Sequence, residues 1–185
     1  MTTSREPVRL ALRKLWSDHV IWTRGYIIAA VAGTPDADAA AGRLLANQED
    51  IGAAVAGFYG KDAGDRLTEL LKEHILIAVD LVAAAKSGDQ AAFAKHDARW
   101  TGNIETIATF LAGANPYWPE ADVLDLLALH LKLTKDEAVA RISGDWAADV
   151  KAFDDIFTEI MVFADAIHDG LAAQFPDRFA APLAA

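Results

Sequence analysis

The sequence predicts an all-α, up-down helical bundle, and three observations carry that reading. Alanine supplies 39 of the 185 residues, and alanine is the strongest helix former. Apolar residues recur at alternating steps of three and four, and no segment pairs strand-like alternation with turn chemistry. All six prolines, at positions 7, 35, 116, 119, 176 and 182, fall where a helix would start or end.

Helices are therefore expected at about 5–32, 35–59, 62–87, 89–113, 119–133 and 135–175. The first has Pro7 in its opening turn, stops at Gly33, and carries the seam Val8, Leu12, Leu15, His19, Trp22, Tyr26, Ala29. The second opens at Pro35, stops at Gly60, and carries Ala40, Leu44, Asn47, Ile51, Ala54, Phe58. The third stops at Gly88 and carries Ala63, Leu67, Leu70, His74, Ile77, Leu81, Ala84. The fourth carries His96, Trp100, Asn103, Ile107, Phe110, Ala114 and runs into Asn115-Pro116-Tyr117-Trp118-Pro119, where Trp118 is expected to pack over a bundle end. The fifth is a short cross helix with His130 at its edge. Thr134 and Glu137 read as a capping box for a long last helix with the seam Val150, Phe153, Phe157, Ile160, Ala164, Ile167, Leu171. Ser143-Gly144 offers a break that would leave a C-terminal piece from Asp145. Short connections make neighbouring helices antiparallel.

Composition excludes several classes. Lys plus Arg number 17 and Asp plus Glu 27, a formal charge of −10, which argues against nucleic acid and anionic membrane surfaces as partners. With no Cys there is no disulfide scaffold, thiolate metal site or Cys nucleophile. The uncharged run Gly25–Pro35 is too short to span a bilayer, and Asp18, His19 and Arg24 interrupt any signal-peptide pattern. A cytoplasmic location is the expectation. No Gly-x-Ser-x-Gly, phosphate-loop, dinucleotide or zinc-protease motif occurs.

The seams superimpose. Leu15-Trp16-Ser17-Asp18-His19-Val20-Ile21 matches Leu70-Leu71-Lys72-Glu73-His74-Ile75-Leu76, and Asn47 to Gly52 matches Asn103 to Ala108. The two matches have the same offset to within one position. A nearly fixed offset over two separated motifs predicts a duplicated hairpin within one domain spanning 1–185. Repeat 1 covers about 5–59 and repeat 2 about 62–113, followed by C-terminal helices at about 119–175.

Distance from the turn glycines sets height. His19 and Asn47 stand symmetrically before and after Gly33, and His74 and Asn103 stand about Gly88 in the same way to within one position. At 1.5 Å per residue all four sit about 21 Å from the turns and form one polar layer in mid-bundle. Left unpaired, each would cost about 1–3 kcal/mol. Mutual pairing satisfies them and fixes register, which makes a structural or interaction module one reading. A divalent metal, Zn or Fe, is a second. His19 and His74 would be its primary ligands, Asp50 and an aspartate of the last helix, Asp154 foremost, its charge-compensating ones, and Asn47 and Asn103 supporting partners. Asp145, Asp149 and Asp165 lie on the same helix, with Met161 and His168 beside its seam. A third reading is haem held between His19 and His74, with Trp22 among the aromatic residues near that level. The metal ion or small molecule is the expected partner, and a homo-oligomer remains open.

Leu15-Trp16 through His19 to Arg24, Asn47-Gln48-Glu49-Asp50-Ile51-Gly52, Glu73-His74-Ile75, Ala114-Asn115-Pro116 and Asp145-Trp146 resemble an uncharacterised family of small bacterial all-helical proteins. Its members often bear names such as acetylglutamate kinase or glycosyltransferase. Both activities need nucleotide-binding α/β architecture, which this chain lacks, so the resemblance implies the fold and the weight of the His and Asn motifs and no activity.

Overall fold

The computed structural model describes residues 5–179. It contains α1 (Arg5–Ala32), α2 (Ala37–Tyr59), α3 (Lys61–Ser87), α4 (Gln90–Ala114), α5 (Glu120–Ser143) and α6 (Trp146–Gln174), with a 3-10 turn at Pro176–Arg178. There is no strand among the described residues, and no helix is long and apolar enough to cross a membrane.

Each helix packs on the next in sequence, and α6 returns to α1, so the six close into a ring of three hairpins. Helices α1, α3 and α5 run parallel and also touch one another across the axis. This differs from the four-helix bundle with two appended helices that the sequence suggests. The fifth helix is no short cross-piece: it runs through Thr134 to Ser143. Thr134 does not cap a helix, because its Oγ1 donates to the His130 carbonyl at 2.9 Å, the way a buried Thr satisfies its hydroxyl inside a helix. The break lies at Gly144, and the cap of α6 is Asp145, whose side chain accepts from Ala148 N at 3.0 Å.

The three hairpin tips at that end are built alike. Gly33, Gly88 and Gly144 have φ of 71°, 74° and 74°, a left-handed conformation that glycine adopts without steric cost. The residue after each donates to the carbonyl five positions back: Thr34 to Ala29, Asp89 to Ala84 and Asp145 to Ala140, at 3.1, 3.1 and 3.0 Å. This is the Schellman closure, and it ends α1, α3 and α5 at equivalent points.

The opposite end is plugged. Trp118, in the α4–α5 connection, is buried, and its indole donates to the Ala166 carbonyl at 3.2 Å. It fills the space left by Gly170, where a Cβ would lie 2.0 Å from Trp118 Nε1. Asn115 is fully buried beside it, donates to Tyr59 Oη at 3.0 Å and accepts from Tyr117 N at 2.8 Å. Helices α2 and α3 approach closely at Gly52 and Gly64, and the buried residues one hairpin on, Ala108 and Ala164, are also small.

The α2–α3 crossing gives a direct test. A Cβ at Gly52 would lie 1.9 Å from Thr68 Oγ1 and 2.7 Å from the Gly64 carbonyl, and that backbone cannot move without parting the helices. Gly52→Val is expected to destabilise by about 1–3 kcal/mol in urea unfolding. Gly102 has nothing within 4 Å of its Cβ position, so Gly102→Ala is expected to stabilise by about 0.5–1 kcal/mol.

Candidate functional site

His19, His74 and His130 each stand at the same distance before their own tip glycine, on the three parallel helices α1, α3 and α5. They therefore reach the same height. Their ring centroids are 6.5 Å (His19–His74), 5.4 Å (His19–His130) and 6.4 Å (His74–His130) apart. All three are at most 5 % exposed. The point equidistant from the three centroids lies about 3.5 Å from each.

Each ring is met by a polar side chain from the second helix of its own hairpin, at one constant sequence separation. His74 Nδ1 donates to Asn103 Oδ1 at 2.9 Å, since the Asn103 amide nitrogen is engaged with the Leu70 carbonyl at 3.2 Å. His130 Nδ1 donates to Glu159 Oε2 at 3.0 Å. His19 Nδ1 instead accepts from Gln48 Nε2 at 3.3 Å, and that nitrogen also meets the Leu44 carbonyl at 2.8 Å. With Nδ1 spent on these partners, Nε2 is the nitrogen left over on each ring, and none of the three has a hydrogen-bond partner among the described residues. Burial pushes His19 well below its ordinary range, helped by the neighbouring His130 and His74. Burial, with His130 beside it, pushes His74 down to about 3. Both His19 and His74 therefore prefer the neutral form.

Above and below the layer lie two small cavities, about 30 and 20 Å³, enough for one or two waters each. The larger one, on the Trp118 side, is walled mainly by apolar side chains of all six helices. Two buried polar atoms of its lining residues have no hydrogen-bond partner among the described residues: Trp16 Nε1 and Glu159 Oε1. Trp16 packs edge-on against His19 at 5.6 Å.

The layer differs in membership from the sequence expectation. His19, His74 and Asn103 are in it. Asn47 is fully buried one step behind the ring: it donates to the Leu15 carbonyl at 3.0 Å and its Oδ1 accepts at 3.2 Å from Gln48, which itself meets His19. Asp50 is exposed, with Arg43 3.7 Å away. Asp154 is exposed, and its carbonyl accepts from Thr158. Trp22 is 36 % exposed, with Arg43 over its ring at 5.8 Å. All three lie on outward flanks of their helices, because the ring axis, and not a four-helix axis, sets which stripe faces inward. Met161 accepts from Ser17, Asp165 is held by Arg9 and Arg13, and Asp149 by Arg24. Sequence reasoning missed His130, Gln48 and Glu159. The signal was present: a His stands at one fixed distance before every tip glycine and its partner at one fixed distance after it, Gly144 included.

A second polar group lies between α1, α5 and α6. Arg24 bridges Glu137 at 2.5 Å and Asp149 at 2.9 Å, and Arg141 reaches Asp149 at 3.2 Å. Both carboxylates are buried. Burial outweighs the nearby guanidinium and pushes Glu137 up to about 7.

No group of three or more His, Asp or Glu among the described residues forms a ready-made metal cage. No family model, curated protein or solved structure matches the chain.

Two consequences can be measured. Between pH 6.5 and 3 the unfolded chain takes a proton that folded His74 refuses, so this contribution is full above 6.5 and is lost as pH falls. Glu137 acts oppositely: its contribution is full below 4.5 and is lost as pH rises to about 7. In urea unfolding at stepped pH, His74→Gln is expected to remove a loss on the order of 3 kcal/mol between pH 6.5 and 4. Glu137→Gln is expected to remove a decline between pH 4.5 and 7. Arg24→Met should destabilise by about 3–5 kcal/mol at neutral pH, because two buried carboxylates lose their main counter-charge. A change under about 1 kcal/mol would show that cluster to be dispensable.

Proposed function

We propose that the protein binds one divalent metal ion, Zn or Fe, through His19, His74 and His130. One observation carries this reading: three rings from parallel helices surround a point about 3.5 Å from each centroid, with each Nδ1 spent on a polar partner and each Nε2 left over. An ion bound at about 2.0–2.1 Å from a ring nitrogen lies about 3.2 Å from the ring centroid, so each ring must move inward by about 0.3 Å. Asn103 and Glu159 already hold His74 and His130 in the tautomer that offers Nε2. His19 must shift its proton to Nδ1, and Gln48, whose Oε1 is buried without a partner among the described residues, must turn its amide to accept it, giving up the Nε2 bonds to the Leu44 carbonyl and Asn47 Oδ1. The −10 charge is compatible with a cationic guest, although Glu159 is the one carboxylate bonded to the layer among the described residues. We also read the chain as three copies of one hairpin, supported by the nearly constant spacing of the histidines (19, 74, 130) and of the tip glycines (33, 88, 144).

The competing reading is a ligand-free polar layer that sets register. It is favoured by the Gln48 N–H aimed at His19 Nδ1, which leaves one Nε2–H among the three Nε2 positions. Haem between His19 and His74 draws less support, because the room beside the rings is that of one or two waters and His130 is in ring contact with both.

Metal analysis after loading with Zn and dialysis separates the readings. One equivalent per chain is expected, lost in His19→Ala, His74→Ala and His130→Ala and kept in Asp50→Asn and Asp154→Asn. Asn103→Ala is expected to weaken binding about 10–100-fold. Sub-stoichiometric metal, or full metal in the triple His→Ala variant, would refute the proposal.

A further inference from the structure

The histidine triangle has two faces, and they are chemically unlike. On the tip-glycine side, the hydroxyls of Thr23 and Thr134 are already spent on the carbonyls of His19 and His130, at 2.7 and 2.9 Å, and the Trp100 indole N–H is a buried donor without a partner, but no unpartnered acceptor lines that cavity among the described residues. On the Trp118 side, two polar groups are buried without partners among the described residues: the Trp16 indole N–H, a donor, and Glu159 Oε1, an acceptor. Buried polar atoms of this kind are satisfied by a small polar molecule when the space admits one and two to four partners face it. The cavity there has a volume of about 30 Å³, and its partners are one donor, one acceptor and the ring nitrogens.

Resting on the metal reading, we infer that the ion's open position faces this cavity, because a metal-bound water must donate its protons and the unpartnered acceptor lies here, and that the cavity holds a water accepting from Trp16 Nε1–H and donating to Glu159 Oε1. Three histidines leave a fourth tetrahedral position free. Glu159 then has two uses: Oε2 orients His130, and Oε1 orients the water. The apolar walls and the small volume restrict any incoming molecule to a few atoms, and the negative charge of Glu159 disfavours anions. The ligand class is therefore small, uncharged and able to donate a hydrogen bond.

Co(II) is the probe, because its visible absorption reports the number and kind of its ligands, and azide is the competitor for the water position. Wild-type protein loaded with Co(II) should show at most a weak spectral change on azide addition, because Glu159 opposes the anion. In Glu159→Gln the shape is kept and the charge removed, so azide should bind about tenfold more tightly. Trp16→Phe removes the donor, weakens the hold on water, and should also tighten azide binding. Leu71→Phe, which fills the Trp118-side cavity, should abolish the azide response of Glu159→Gln with Co(II) still bound, whereas Ala78→Leu on the other side should leave it intact. Failure of the wild type to bind Co(II) would overturn both the metal reading and this inference. Bound Co(II) that ignores azide in Glu159→Gln as well as in wild type, that responds alike in the two, or that loses its response only in Ala78→Leu would overturn this inference and leave the metal reading standing.

Discussion

Three imidazoles lie buried at one height, and each has an Nδ1 that must find a partner inside the fold. That requirement fixes the register of every hairpin. A slip of one residue between α3 and α4 would turn Asn103 by about 100° and move it about 1.5 Å along the axis, leaving two buried polar groups unpaired. The apolar layers on either side tolerate exchange among Leu, Ile, Val and Phe, and indeed Ile51, Ile107 and Phe163 occupy equivalent places in the three hairpins. The polar layer has no such latitude. Apolar burial supplies the driving force for collapse, and the imidazoles select one alignment from the many that collapse would accept.

The tip glycines act on the same alignment from the other side. Because Gly33, Gly88 and Gly144 close their helices identically, the distance from tip to layer is the same in all three hairpins. The two devices agree, as expected where local turn chemistry and tertiary packing favour one structure.

Much of this was legible in the residues. Ala content, proline positions and glycine stops give the helices nearly to the residue for α1 to α4, and the His-to-glycine spacing gives the layer. The errors share one physical cause. Thr134 and Glu137 have the right spacing for a capping box, but a threonine hydroxyl can equally return to the carbonyl one helical turn back, and only the burial of this stretch decides between them. A helix start placed there hides the third hairpin, and with it His130, Glu159 and the true axis. The inward stripe of a helix depends on where its neighbours stand, so Asp50, Asp154 and Trp22 face outward although a four-helix axis would turn them in. The choice of Gln48 over Asn47 is also beyond spacing alone, because both are fully buried and only the direction of each side chain separates them.

Five of the six seams in the ring join helices adjacent in sequence, and the sixth joins α1 to α6. That last seam carries a distinctive set of bonds. Arg9 and Arg13 hold Asp165, keeping its carboxyl well below the usual range, Ser17 meets Met161, and Arg24 grips Asp149. Hairpins can form from contacts close in the chain, whereas this seam requires almost the whole chain to come round on itself, with the loop-closure entropy that implies. The ring is thus fastened by a clasp of directional charges at the one point where chain connectivity contributes nothing. The Arg9–Arg13–Asp165 part of it lies near solvent and is open to screening, while the Arg24 part is sheltered. Parting the ring there, and not between successive helices, would uncover the histidine triangle without breaking any turn.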